Sequence, residues 1–357
     1  MQYSFAIPSD RSRSRDGRQL RVASLALMTG ITLAIAQAVP AASEATGFIF
    51  AADEHGSTLS RVELPTGVTV TTDIAISPHN VQVTPDNQWV LAVGEPGGHN
   101  GHGHGHSHES GQLLIFDVTA FADGPRSSIP VGSHPAHVVT EPDGRLAFVT
   151  NAGDDSVSVV DLVAGEVTST ISTGAYPHGL RPSPDGTELY VANVQDGSVS
   201  LISVEQRSEI ARIPVGETPV QVAFTPDGTR VYVSLRDENR VAVIDTASRE
   251  VIDTIHVGAK PIQVHASVDG ERVYVANEGT RGSPGNTVSV IKVASGEVVQ
   301  TIEVGQGAHG IAVDTAGFVY VTNIHDDSVS VIEESTFSVA ATYPVGQGPN
   351  GITWANR

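Results

Sequence analysis

The sequence of 357 residues contains no cysteine, and its two methionines, Met1 and Met28, both lie near the N-terminus. Without cysteine there can be no disulfide, no thiol catalysis and no covalent haem attachment. Lysine is almost as scarce, since only Lys260 and Lys292 occur. The sequence also lacks the Gly-x-Ser-x-Gly motif, which forms the nucleophile elbow of serine hydrolases, and it lacks any phosphate-binding loop. Chemistry must therefore be sought among the histidines and carboxylates.

The first 41 residues have the composition of a secretory signal. Five arginines between Arg11 and Arg21 precede an apolar run from Val22 to Ala38, and small residues follow at Val39-Pro40-Ala41. This order is typical of a signal peptide, and the apolar run is too short for a stable membrane anchor. We expect residues 1–41 to be removed, residues 42–357 to form one domain without membrane insertion, and the protein to be periplasmic or secreted.

Acidic residues outnumber basic ones by 40 to 20, a net charge of −20. Removal of residues 1–41 would leave 38 acidic (40−2) against 15 basic (20−5) side chains, or −23. Such a charge repels phosphate backbones and anionic lipid, so nucleic acid and membrane surfaces are not expected partners. It suits the binding of cations, although an acidic surface can also serve solubility alone.

A repeat runs through most of the chain. Glycines of Pro-Asp-Gly-like turns recur every 42 residues at Gly144, Gly186, Gly228 and Gly270, and each period contains short alternating strands. A period in this range indicates one four-stranded blade of a β-propeller per repeat. Six second strands are expected to begin at Trp89, Leu146, Glu188, Arg230, Arg272 and Phe318.

A seventh blade is predicted to be shared by the two ends of the chain. Phe48–Ala52 and Thr58–Val62 have the pattern of second and third strands, and Gly351–Trp354 would supply their inner strand. Pairing the ends closes the ring and removes exposed sheet edges. The sequence therefore predicts an all-β, seven-bladed propeller.

Three segments carry a family resemblance. Tyr190–Asn193, Tyr274–Asn277 and Tyr320–Asn323 each follow a Pro-Asp-Gly-like turn and precede a strand of the Ser-Val-Ser-Val-Ile type. They resemble the YVTN-type propeller repeats of exported bacterial proteins, and the resemblance covers residues 47–357. It implies the fold but no single activity, because that family includes binding proteins, surface proteins and domains of enzymes.

One repeat carries an insertion rich in histidine. Asn87 and Gly144 are 57 residues apart, 15 more than the period, and the surplus forms a loop at about 95–110. Imidazoles separated by glycines on a flexible loop can gather around a divalent cation, so metal capture is the favoured interpretation. The candidate ligands are His99, His102, His104, His106 and His108.

A second group of histidines emerges when the blades are aligned on the Pro-Asp-Gly turn. The residue six positions before the turn's proline, where the inner strand begins, is polar along one arc of the ring, and Val220 and Ile262 lie opposite. We expect a metal or ligand site at this mouth of the channel, although Pro-His-Gly can also be a plain turn sequence. The arc consists of His309, Asn350, His79 and His178, together with His137, which lies one residue beyond the equivalent Ala136.

The insertion and the arc are predicted to share one face. Successive strands alternate in direction, so loops between second and third strands emerge beside the turns that lead into inner strands. His55 and His325 are in loops of the former kind and are possible secondary ligands, whereas His256 and His265 are interpreted as structural.

The expected metal is zinc. Copper(I) favours sulfur ligands, which residues 42–357 lack, whereas imidazole and carboxylate suit zinc, with copper(II) and nickel as alternatives. The combination of propeller and histidine tract resembles periplasmic seven-bladed zinc chaperones, although this tract lies inside a blade. That resemblance implies zinc delivery to a partner such as the solute-binding protein of a metal transporter.

Two other functions stay open at this point. A metal-dependent hydrolase or lyase could use the same channel mouth, because three protein ligands and one open position would suit water activation. No separate general base is evident, so catalysis is the less favoured reading. The third alternative is a protein-interaction scaffold in which the metal loop is incidental.

Overall fold

The computed structural model describes residues 44–97 and 110–357, which lie within one compact unit. The predicted signal segment and the five histidines of the insertion fall outside these residues. The described residues form 28 strands arranged as seven four-stranded antiparallel sheets. Three short 3-10 helices connect strands at Phe121–Asp123, Ala152–Asp154 and Arg236–Glu238.

Strands are numbered β1 to β28 along the chain, and each blade is given from its inner to its outer strand. Blade 1 consists of β28 (Pro349–Ala355), β1 (Gly47–Asp53), β2 (Thr58–Leu64) and β3 (Val68–Asp73). Blade 2 consists of β4 (Ile76–Val83), β5 (Trp89–Pro96), β6 (Gln112–Asp117) and β7 (Ser127–Pro130). Blade 3 consists of β8 (Pro135–Thr140), β9 (Leu146–Asn151), β10 (Ser156–Asp161) and β11 (Glu166–Ser172).

The remaining four blades follow the same order. Blade 4 consists of β12 (Pro177–Pro182), β13 (Glu188–Asn193), β14 (Ser198–Ser203) and β15 (Ser208–Pro214). Blade 5 consists of β16 (Pro219–Phe224), β17 (Arg230–Leu235), β18 (Arg240–Asp245) and β19 (Glu250–His256). Blade 6 consists of β20 (Pro261–Ala266), β21 (Arg272–Thr280), β22 (Ser283–Lys292) and β23 (Glu297–Glu303). Blade 7 consists of β24 (Ala308–Val313), β25 (Phe318–Asn323), β26 (Ser328–Glu333) and β27 (Ser338–Pro344).

The predicted all-β, seven-bladed propeller is confirmed, including the blade that the two ends share. Strand β28 pairs antiparallel with β1, with Ile352 opposite Ala51 and Ala355 opposite Phe48. Since β1 and β28 would otherwise leave unpaired edges, this pairing closes the ring and protects both.

The core lies between neighbouring blades. The second strands of blades 4 to 7 each carry a fully buried tyrosine that packs on the next blade, as Tyr190 of blade 4 does against Val222 and Val233 of blade 5. The Tyr190 and Phe224 rings meet edge to face with their centroids 4.9 Å apart. Burial of one such side chain contributes about 3 kcal/mol, so the tyrosines are a principal link between blades.

Each inner strand contains a β-bulge near its start. In blade 4, Pro177 pairs with Asn193 and Leu180 pairs with Val191, so the inner strand has one more residue than its partner between these pairs. The same irregularity occurs in the inner strands of blades 2, 3, 5, 6 and 7. A bulge re-aims the side chains at its position. Here it leaves one residue of β4 and two residues of β8 and β12 without a partner in the second strand, among them His79, His137 and His178.

Within the described residues, no helix is both long and apolar enough to cross a membrane.

Candidate metal centre

Three predicted residues of the histidine arc come together at one mouth of the channel. His79 of β4, His137 of β8 and His178 of β12 each lie at the bulge of an inner strand. One ring nitrogen from each can be chosen so that all three lie within 4.8 Å of one another. Three adjacent blades thus contribute one imidazole each to what we call the three-histidine group.

His79 and His178 meet across blade 3. Their Nε2 atoms are 3.0 Å apart, and the ring planes are nearly perpendicular at 88°. The corresponding position in blade 3 is Ala136, whose methyl group lines the same cavity. We expect a larger side chain there to crowd the two rings.

The neighbours of His178 and His79 determine which nitrogens carry protons. His178 Nδ1 lies 3.2 Å from the carbonyl oxygen of Val220 and must donate to it, so His178 Nε2 has a free lone pair. His79 Nδ1 lies 3.1 Å from Asn350 Nδ2 and 3.4 Å from Glu54 Oε1. His79 can therefore accept from Asn350 and donate through Nε2 to His178, or donate through Nδ1 to Glu54.

Thr150 of the second strand β9 positions two members of the group. Its Oγ1 accepts a hydrogen bond from the backbone N–H of His137 at 2.9 Å and donates to the carbonyl oxygen of His178 at 2.7 Å. Ser234 makes the equivalent link between blades 5 and 6, from Gln221 to Ile262. The hydroxyl thus fixes both bulges relative to each other.

Burial keeps two of the imidazoles neutral. Burial, followed by the nearby His178 and His79, holds the pKa of His137 well below its usual range. Burial and then His79 lower the pKa of His178 to about 3. Only a neutral imidazole has a lone pair for a metal ion, so both side chains are in the ligating form at neutral pH.

Glu54, in the loop between β1 and β2, contacts Nδ1 of His79, the ring nitrogen that does not face His178. Burial alone would raise the pKa of its carboxyl, but the hydrogen bond and charge of His79, with the amide of Asn350, outweigh burial and lower the pKa to about 2. Glu54 is therefore a carboxylate. Such a carboxylate behind an imidazole is the usual outer partner of a metal-bound histidine.

Two members of the group, His79 and His178, line a cavity of about 210 Å³ on this face. Its walls come from turns into inner strands and from loops after second strands, as the alternation of strand direction predicts. His134 and Glu95 also line it, with His134 Nδ1 3.3 Å from Glu95 Oε1. Gly97, two residues beyond Glu95, is the last described residue before the histidine-rich insertion.

The other predicted ligands lie outside the three-histidine group. His309 is buried and directs Nδ1 to the carbonyl oxygen of Asn350 at 3.3 Å, and burial lowers its pKa. Asn350 contacts His79 and Glu54 through its amide nitrogen. His55 and His325 line a separate cavity of about 550 Å³.

No sequence pattern singled out Glu54, Glu95 or His134. Their contacts with the site depend on how blades 1, 2 and 3 pack, and the repeat alignment gives only the inner-strand positions. His134 could have been noticed, because it precedes Pro135 in the turn that leads to His137.

The chain is a seven-bladed β-propeller with a histidine-lined channel mouth. Residues 105–272, just under half of the chain, match the family model described as YNCE-like beta-propeller. No curated protein matches the sequence significantly.

Two solved structures have a similar fold. A protein of unknown function from Desulfotomaculum acetoxidans matches with a TM-score of 0.72 and 16% identity, over 87% of this chain and 99% of that chain. Kuenenia stuttgartiensis hydrazine synthase matches with a TM-score of 0.68 and 21% identity, over 78% of this chain and 89% of that chain. At these identities the likeness concerns the fold alone.

Proposed function

We propose that this propeller is an exported protein that binds a divalent transition metal, zinc first, at the three-histidine group and delivers it to a partner. Copper(II) and nickel are the alternative ions, because imidazole suits all three. The observation that carries the proposal is the 3.0 Å separation of His79 Nε2 and His178 Nε2.

That separation is close to the spacing of two ligands of one zinc ion. Zinc–nitrogen bonds of about 2.0–2.1 Å at a tetrahedral angle place the two nitrogens about 3.3 Å apart. A shift of a few tenths of an ångström in either ring would open the pair to that distance. His137, in the inner strand β8 of blade 3, would supply the third nitrogen.

Metal binding would move the His79 proton from Nε2 to Nδ1 of the same ring. Without metal, His79 Nε2–H can donate to His178 Nε2 while His79 Nδ1 accepts from Asn350. With metal, the His79 proton would occupy Nδ1 and face the Glu54 carboxylate. His79 is neutral in both arrangements, so this shift of one proton within the ring would free Nε2 for the ion, as ligation by imidazole requires.

Three protein ligands leave one tetrahedral position of zinc open toward the cavity. An open position allows a ligand of a second protein to enter before the first ligands leave, which suits a carrier of metal cargo. We propose as partner an exported solute-binding protein of a metal transporter. The predicted signal segment 1–41 agrees with a periplasmic or secreted location for this exchange.

Competition for zinc against a chromophoric chelator tests the proposal. The protein should lack Asn100–Ser107, so that the insertion contributes few imidazoles. We expect one zinc per chain, and His178→Ala should weaken binding at least about tenfold, because one of three ligands is lost. His256→Ala is the matched control, since this exposed imidazole contacts Arg240 far from the group. Equal affinity of the His178→Ala and His256→Ala proteins would contradict the proposal.

The cavity also favours a second candidate function, a metal-dependent hydrolase or lyase. The Glu95–His134 pair lines the same space and could act as a general base toward a zinc-bound water. Zinc-dependent turnover of ester or lactone substrates, lost in Glu95→Gln, would favour this candidate. Unchanged partner binding after chelation would instead favour a scaffold.

A further inference from the structure

The channel has a second mouth on the opposite face, and it differs chemically from the first. A cavity of about 380 Å³ opens there among the Pro-Asp-Gly-like turns, which contribute Pro85, Pro142 and Pro184 to its rim. Inner strands from six of the seven blades line it. Its distinctive polar side chains are those of Arg181 and His265, which follow His178 and Ile262 by three residues in their strands.

Arg181 is a partly buried cation without an acidic partner among the described residues. The single hydrogen bond of its guanidinium joins Nη1 to the carbonyl oxygen of Leu180 at 2.9 Å. Burial lowers the pKa of Arg181 to about 10, and no carboxylate offsets this effect. A guanidinium has five N–H donors, so four of them have no acceptor among the residues that the structure describes.

The nearby carboxylates are engaged elsewhere. Glu141 at the rim accepts the backbone N–H of Leu146 at 2.8 Å. Asp185, in the next turn, accepts from the Ser183 hydroxyl and the Thr187 backbone N–H. These acids stabilise their own turns and leave the Arg181 charge uncompensated.

Other donors line the same cavity. The Gln82 amide donates one N–H to the carbonyl oxygen of Val83 at 3.0 Å, and its second N–H has no acceptor among the described residues. Thr353 Oγ1 accepts from the Val83 backbone N–H at 3.3 Å, and its own proton has no acceptor among the described residues. Gln82 and Thr353 have the same position in their inner strands as Arg181 has in β12, three residues after His79 and Asn350. Donors from blades 1, 2 and 4 therefore line one cavity.

We propose that this second mouth binds a small oxyanion, a phosphate or carboxylate group, with Arg181 as its principal ligand and Gln82 and Thr353 as additional donors. Guanidinium binds such groups through paired, charge-assisted hydrogen bonds. The bound anion would supply the charge that Arg181 lacks. This inference is independent of the proposed metal function, because its residues belong to the other end of the channel.

His265 refines the choice of anion. Its Nδ1 donates to the carbonyl oxygen of Ala266 at 2.8 Å, so the neutral ring presents Nε2 as an acceptor. Hydrogen phosphate has an O–H that can donate to Nε2, whereas sulfate has none. The site should therefore prefer inorganic phosphate to sulfate.

Calorimetry with inorganic phosphate, sulfate and acetate on the full chain tests the proposal. Arg181→Met keeps most of the side-chain volume but removes the donors, and it should weaken phosphate binding about tenfold to a hundredfold. Arg145→Met is the matched control, because Arg145 lies on the same face, outside the channel, and pairs with Asp161 at 3.0 Å. We expect the control to bind phosphate within about twofold of the parent.

Thermal unfolding without added anion provides a second readout. Replacing an unpaired, partly buried charge with an apolar side chain should raise the melting temperature of Arg181→Met. A structural role for Arg181 predicts a lower melting temperature instead and would overturn the proposal. Phosphate affinity that is equal in Arg181→Met and the parent would also overturn it. Equal affinity for sulfate and phosphate would remove His265 from the site, and tighter acetate binding would identify the ligand group as a carboxylate.

Discussion

The Nε2 atoms of His79 and His178 lie 3.0 Å apart, although the two residues belong to blades 2 and 4 and a whole blade separates them. We infer that the small side chain of Ala136, which has the equivalent position in blade 3 and lines the same cavity, leaves room for this contact. It also depends on the bulge in each inner strand, which turns these side chains toward one another. We therefore expect the contact between His79 and His178 to depend on the bulges of the inner strands and on the small side chain of Ala136.

Enlarging Ala136 tests this dependence. Val220 shows that the ring accepts valine at the equivalent position of blade 5, so Ala136→Val should fold normally. The added methyl groups should push the His79 and His178 rings apart at a cost of about 1–3 kcal/mol to metal binding, which is roughly tenfold or more in zinc affinity. Zinc titration of Ala136→Val against the parent measures the effect, and unchanged affinity would show that the two rings do not share an ion.

Thr150 should matter for zinc affinity without contacting the metal. Thr150→Val removes the hydroxyl that joins His137 to His178, and loss of such outer contacts typically weakens metal binding about 10–100-fold. Ser234→Ala removes the equivalent link in blades 5 and 6 and is the control. Both variants should lose similar stability, but only Thr150→Val should lose zinc affinity. If both bind zinc like the parent, Thr150 does not position the group.

Asp53 should make stability depend on pH. Four blades have asparagine at this position, and Asn193 shows the arrangement by donating to the hydroxyls of Ser198 and Ser200. Asp53 accepts from Thr58 and Ser60 instead. Burial raises its pKa from 3.8 to about 7, although these two hydroxyls lower it in part.

The raised pKa determines the direction in which stability changes with pH. Folded Asp53 keeps its proton up to about pH 7, whereas the unfolded chain releases it near pH 4. This contribution to stability is fully present below about pH 4 and is lost as the pH rises to about 7, by up to about 1.4 kcal/mol per pH unit. Urea unfolding should show that Asp53→Asn gains stability relative to the parent as the pH rises. Asn193→Asp should introduce the opposite trend, and a parent-to-variant difference that is constant with pH would contradict the shifted pKa.

Closure of the ring can be tested at the C-terminus. Deletion of Gly351–Arg357 removes most of β28 and exposes β1 and its buried side chains, including Phe50 and Ala51. We expect the melting temperature to fall by more than about 10 °C. Deletion of residues 356–357 alone should have little effect, because these residues follow β28. Similar melting of both truncated proteins would contradict closure through blade 1.

The sequence predicted the fold more completely than the site, for identifiable reasons. The spacing of Gly144, Gly186, Gly228 and Gly270 is a local property of each repeat, so blade number and the split blade followed from it. Alignment on the same turns also predicted that His79 and His178 have equivalent positions in their inner strands.

The alignment could not predict which arc members meet. His309 bonds to the backbone of Asn350 instead of joining the three-histidine group, because the distance across the channel depends on bulges and on small residues such as Ala136. Arg181 went unnoticed because it is conspicuous only when the other inner-strand residues at its level are known to be mostly uncharged. The histidines of the insertion stay a prediction, since they lie outside the described residues.

The most direct measurement is anomalous diffraction at the zinc edge from crystals grown with one equivalent of zinc. We expect one strong peak about 2.0–2.1 Å from the Nε2 atoms of both His79 and His178, with His137 as the third ligand. The peak should disappear in crystals of His178→Ala. A fully occupied zinc ion elsewhere on the propeller, with His79 Nε2 and His178 Nε2 still 3.0 Å apart and without metal, would contradict zinc binding by the three-histidine group.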